Sequence, residues 1–104
     1  MKNRIRVTDE EKAIVNRFLD MKDPPIYKTD RTDRILFVEL VDFDVCPYLL
    51  GKIRMKNEHY HYILNEYERY LMQTDVSLFD EYANEHFKLL VKLMELFKKY
   101  YNMQ

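Results

Sequence analysis

The chain has 104 residues, 47% of them hydrophobic and 14% aromatic, with a formal net charge of −1. That is one domain's length, enough to hide roughly two-thirds of the unfolded surface around a core without staples. The composition excludes a disordered chain, and the near-neutral balance excludes a global electrostatic pull toward nucleic acid or anionic lipid.

Cys46 is the only cysteine, so no disulfide closes within the chain. The opening Met1-Lys2-Asn3-Arg4-Ile5-Arg6-Val7 has no apolar h-region, and no apolar run reaches membrane-span length. The expected setting is a reducing cytoplasm, with no membrane partner. Alanine occurs only as Ala13 and Ala83 and glycine only as Gly51, while Lys, Asn, Tyr, Ile and Phe abound. This bias toward AT-rich codons points to a low-GC bacterium, or to its phage or another mobile element.

A first helix is announced by Thr8-Asp9-Glu10-Glu11, in which Thr8 and Glu11 can cap each other reciprocally. Ile14, Val15, Phe18 and Leu19 then share a face, and Asp23-Pro24-Pro25 ends the element. Residues 26–34 read as a polar connection. The next run, 35–43, has the β-branched and aromatic content of a strand. Leu36 with Leu40 and Phe37 with Val41 also keep the i, i+4 spacing of a short helix capped by Asp33. A strand would find only Ile5–Val7 and Ile26–Lys28 as partners, so helix is the preferred reading.

Cys46-Pro47 suits the start of a further helix, which Gly51 can break. From Ile53 onward, Ile53, Tyr60, Ile63, Leu64, Tyr67, Tyr70 and Leu71 form an apolar stripe. Thr74–Ser77 is the predicted turn, Ser77 and Asp80 the next capping pattern, and Leu78–Tyr101 the last helix. On that helix Glu81, Glu85, Lys88, Lys92, Glu95 and Lys99 make one narrow polar strip, and most of the rest is apolar. Such a wide arc is either the centre of the core or a homodimer interface through 78–101. The expected class is mainly α: a small helical domain, 1–104, with a long C-terminal antiparallel helix hairpin. The alternative is α+β, with a short strand or hairpin near 26–41.

Chemistry-bearing motifs are sparse. Glu58 and His61 have the Glu-x-x-His spacing of carboxylate-bridged metal helices, but that chemistry needs a second pair, and the remaining candidate, His86, has Ala83 three positions earlier. Ser77 is the only serine and reads as a cap. Cys46 has no base in view and reads as a small buried hydrophobe, and Asp42 with Asp44 lacks an acid–base partner. No glycine-rich phosphate loop exists. The expectation is no enzyme, no cofactor and no metal.

Charge offers more. Folding the last two helices back about Asp75 gathers Lys52, Arg54, Lys56, Lys98 and Lys99 at one end of the hairpin. It gathers Glu66, Glu68, Asp75, Asp80, Glu81 and Glu85 at the other. Acids at a helix C-terminus are mildly unfavourable, so Glu66 and Glu68 ask for a reason that Asp80 and Glu81 do not. The leading functional expectation is a non-enzymatic protein-binding module, a small regulator or inhibitor, whose acidic tip meets a basic protein partner. Glu66, Glu68, Glu81 and Glu85 would be its rim, with Phe79 and Tyr82 as aromatic anchors beside Leu78. The alternative is a nucleic-acid-binding transcriptional or replication regulator, resting on Lys2, Arg4 and Arg6 and on Lys52, Arg54 and Lys56 near Tyr48.

Overall fold

The computed structural model describes residues 7–25 and 33–103; of the predicted connection 26–34, residues 26–32 lie outside them, and Asp33 and Arg34 belong to a helix instead. The described residues form four helices around one core: α1 (Asp9–Asp20), α2 (beginning at Asp33), α3 (Asn57–Gln73) and α4 (Glu81–Asn102). No strand occurs among the described residues, so the ambiguous run resolves as helix and the fold is mainly α.

The start of α1 is built as its sequence predicts. Thr8 accepts from the Glu11 N–H at 3.1 Å, and Glu11 accepts from the Thr8 N–H at 2.8 Å. Val15 and Phe18 face inward, while Leu19 is partly exposed. The Glu11 carboxylate also accepts the Tyr100 hydroxyl and lies 3.6 Å from Lys99 Nζ. One capping residue thus ties the N-terminus of α1 to the C-terminus of α4. Its carboxyl is held below the usual range, chiefly by the Tyr100 hydrogen bond and also by the Thr8 N–H and the Lys99 charge.

Cys46-Pro47 does not start a new helix. α2 is one continuous element: α-helical over Asp33–Leu40, widened to a π segment over Val41–Val45, and closed by Cys46–Leu49. Proline within a helix lacks the i→i−4 donor, and its ring crowds the carbonyl four residues back. The wider π turn, which bonds the Cys46 N–H to the Val41 carbonyl, lies where that relief is needed. Gly51 then ends the element at φ 76°. The Lys52 N–H reaches the Pro47 carbonyl at 2.9 Å and the Gly51 N–H the Tyr48 carbonyl at 3.0 Å, the paired bonds of a Schellman cap. Because the chain then needs residues 52–56 to turn, α3 starts at Asn57. Ile53 is outside the helix and exposed, a correction to the predicted stripe; Leu71, at the stripe's far end, is exposed as well.

A second correction concerns the hairpin turn. Ser77 is not the cap of α4. Asp75 accepts from both the Ser77 N–H (3.0 Å) and the Ser77 hydroxyl (2.6 Å), closing a local turn over a 3-10 stretch, Val76–Leu78. Asp80 caps instead, accepting the Ala83 N–H at 2.8 Å, so α4 begins at Glu81 rather than Leu78.

α3 and α4 run antiparallel, as the sequence implies. Tyr101 Oη donates to Asn57 Oδ1 at 3.0 Å at one end, and Tyr70 lies over Phe87 at 6.2 Å near the other. Aromatic rings separate the two helices: Tyr60 stacks on Tyr101 at 3.7 Å and meets Phe97 at 5.1 Å. Their backbones consequently approach less than those of α2 with α3 or α1 with α4. α4 is the central helix. Ala83, His86, Leu90, Leu93, Met94, Leu96, Phe97 and Tyr100 are all buried, so most of its wide apolar arc is taken up within the chain. No described helix is long and apolar enough to cross a membrane.

Candidate functional site

Packing α2 against α3 has two consequences. On the inner side Phe37 meets Tyr67 at 5.4 Å and Tyr70 at 5.0 Å. On the outer side the helices leave an open groove of about 300 Å³. Its apolar lining is Leu36, Leu40 and Phe43 from α2 and Tyr62 from α3. Three of these are strongly exposed, Phe43 by 71%, Leu36 by 55% and Tyr62 by 50%, unlike the fully buried Phe37, Val38 and Val41 of the neighbouring stripe. An exposed phenylalanine beside an exposed leucine is apolar surface that the chain leaves in water.

The polar lining is acidic. Glu39 and Asp44 stand on the α2 wall and Glu66 on the α3 wall, and none of the described lining residues is cationic. His59 Nε2 pairs with Asp44 Oδ2 at 3.0 Å across the two helices, and the His59 ring stacks on Tyr62 at 6.0 Å. Glu66 accepts from Arg69 at 3.2 Å, one turn along α3. Ion pairs of this kind contribute little to stability.

The predicted acidic tip is distributed differently. Glu66 turns into the groove beside α2, whereas Glu85 pairs with Arg17 of α1. Glu68 and Glu81 remain exposed. Phe79 is half-buried edge-on to Phe87 at 5.9 Å, and Tyr82 donates its hydroxyl to the Lys22 carbonyl at 2.6 Å. Both aromatics are thus engaged within the chain. What the turn exposes instead is Met72, Val76 and Leu78.

The basic end is also divided. Lys98 lies over the Tyr67 ring at 5.5 Å and Lys99 reaches Glu11 on α1. Lys52, Arg54 and Lys56 are exposed on the connection after Gly51. Lys2, Arg4 and Arg6 lie outside the described residues. Folding the helices back about Asp75 would set residue 52 opposite about residue 99, whereas the structure sets Asn57 against Tyr101.

Glu58 and His61 are exposed on α3, and no described group of three or more His, Cys, Asp and Glu side chains converges as metal ligands. Cys46 is fully buried, and burial together with the nearby Asp42 charge pushes its thiol up to about 12. A thiol held in that range is neutral at physiological pH and a poor nucleophile. Asp42 is raised to about 6, mainly by burial and also by Asp23 and Glu39. His86, buried and 4.6 Å from the Phe18 ring, is pushed down by burial against an opposing pull from Asp23.

Of the groove residues, the sequence singled out only Glu66 as part of a binding surface. A signal for the others exists. Leu36, Leu40 and Phe43 are spaced i, i+4, i+7 and make a second apolar stripe beside Phe37, Val41 and Val45. Two stripes are more than one buried face requires. No family model, curated protein or solved structure matches this chain.

Proposed function

We propose that this chain is a non-enzymatic protein-binding module, a small regulator or inhibitor acting in a reducing cytoplasm, whose partner presents a basic surface. The α2–α3 groove carries this reading: Phe43, Leu36 and Tyr62 are exposed together between Glu39, Asp44 and Glu66, with no cation among the described lining residues. Aromatic and aliphatic anchors supply interface energy, and a one-signed rim speeds encounter and rejects like-charged surfaces. The acids expected at the hairpin tip contribute through Glu66, which belongs to this groove.

Self-association through 78–101 draws little support, because α4 buries most of its arc against the other helices. The alternative, a nucleic-acid-binding regulator, is favoured by one observation: Lys52, Arg54 and Lys56 are all exposed, with no ion pair among the described residues. The two readings separate in a capture experiment from a low-GC bacterial lysate. Immobilised wild type is compared with Phe43→Ser plus Glu66→Lys and with a triple Lys52, Arg54, Lys56→Glu variant. A protein retained by wild type, released by salt and lost with the first variant supports the module. Retention of nucleic acid that only the triple variant abolishes would replace it with the alternative.

A further inference from the structure

We infer that the α2–α3 groove receives a single amphipathic helix carrying Lys or Arg beside its apolar anchors. This rests on the protein-binding reading and adds the form and charge of the occupant.

The form follows from the walls. Both are helices, so their interior N–H groups are bonded within their own elements. The groove therefore offers no row of backbone donors against which an extended peptide could add as a strand. A segment entering an apolar groove must satisfy its own backbone, because an unpaired buried N–H or C=O costs about as much as a lost hydrogen bond. A helix does this, and its i, i+3, i+4 side chains can lie along Leu36, Leu40, Phe43 and Tyr62.

The charge follows from the rim. Acids stand on both walls, Glu39 and Asp44 on one and Glu66 on the other, so an occupant is flanked by carboxylates on each side. A helix with Lys or Arg bordering its apolar stripe places opposite charge at both margins. A second copy of this chain docking groove on groove about a two-fold axis would oppose acid to acid. Nucleic acid meets the same repulsion. An enclosed small molecule fits poorly, because the groove is open and stands at the small end of ligand pockets.

The test uses the full chain and three labelled synthetic peptides of about 16 residues, long enough for roughly four helical turns. One is a Leu/Lys amphipathic helix. The second is a scramble of identical composition with no apolar face, and the third replaces every Lys by Glu. Fluorescence anisotropy is read at low and high salt. The Leu/Lys helix is expected to bind saturably, with Kd on the order of 10 μM. Its affinity should fall about tenfold or more with Glu39→Lys plus Glu66→Lys, fall again in high salt, and be lost with Phe43→Ser. Phe43 is 71% exposed, so that variant retains its fold, which circular dichroism checks. The inference is overturned if the Leu/Lys helix fails to bind, if the scramble binds equally well, or if binding survives both groove variants. Failure here alongside groove-dependent capture of a native protein would discard the helical occupant while leaving the module in place. Loss of both would discard the module as well.

Discussion

Tyr48→Phe should make this protein more stable. Tyr48 is 2% exposed, with its ring edge-on to Phe97 at 5.5 Å and near Tyr101 at 6.4 Å. Its hydroxyl is buried and has no hydrogen-bond partner among the described residues. Burial, with smaller contributions from Tyr101 and Tyr60, raises this phenol to about 12, the response expected of an oxygen deprived of water. A buried hydroxyl without a partner costs about 1–3 kcal/mol in lost hydration. Phenylalanine keeps the ring and both aromatic contacts and removes only that oxygen. The void it leaves, on the order of one atom, costs about 0.3 kcal/mol at the usual cavity coefficient. The net expectation is a gain of about 1–2 kcal/mol, or several degrees in Tm for a chain of this size. Urea unfolding of both proteins measures it, with equal m-values confirming that the denatured states match. A loss of about 1 kcal/mol or more would refute the reasoning, since it would mean the hydroxyl makes a bond in the native protein.

Asp42→Asn should stabilise the protein at pH 7. With the folded carboxyl at about 6 against an ordinary 3.8, the folded state holds its proton more tightly, so this contribution declines as pH rises from about 4 through 6. The bound on the gain is about 3 kcal/mol, and carboxyl titration by NMR checks the midpoint. His86 acts with the opposite sign: its folded value lies below 6.5, so the unfolded chain binds more protons and stability falls as pH drops below 6.5. Because the two slopes oppose each other, the His86 slope should emerge in the Asp42→Asn background and disappear on adding His86→Leu, as read by denaturation from pH 5 to 7.5. Gly51→Ala should cost about 1–2 kcal/mol, the penalty of a left-handed backbone for an L side chain. Beyond its two chain neighbours, no described residue lies within 4 Å of the added Cβ, so a loss well beyond that range would contradict a purely backbone effect.

The sequence alone determined features that depend on neighbours along the chain. The Thr8–Glu11 capping box, the stop at Gly51 and the antiparallel order of the last two helices follow from short-range hydrogen bonding and helical periodicity, and each is present. Where two local solutions competed, nearby residues were insufficient. Ser77 and Asp80 both suit a cap, and Asp75 decides between them by engaging Ser77 in its own turn. Pro47 marks a helix start in most contexts, yet here a π segment carries α2 through it. Tertiary structure alone decided the surfaces. The arc on α4 could have faced another chain until α1, α2 and α3 covered most of it, and Tyr82 could have been an anchor until Lys22 came within reach. The groove itself depends on which face of α2 is turned to α3. Periodicity shows that Leu36, Leu40 and Phe43 share a stripe, but only packing in three dimensions chooses which of two adjacent stripes is buried and which is left to solvent.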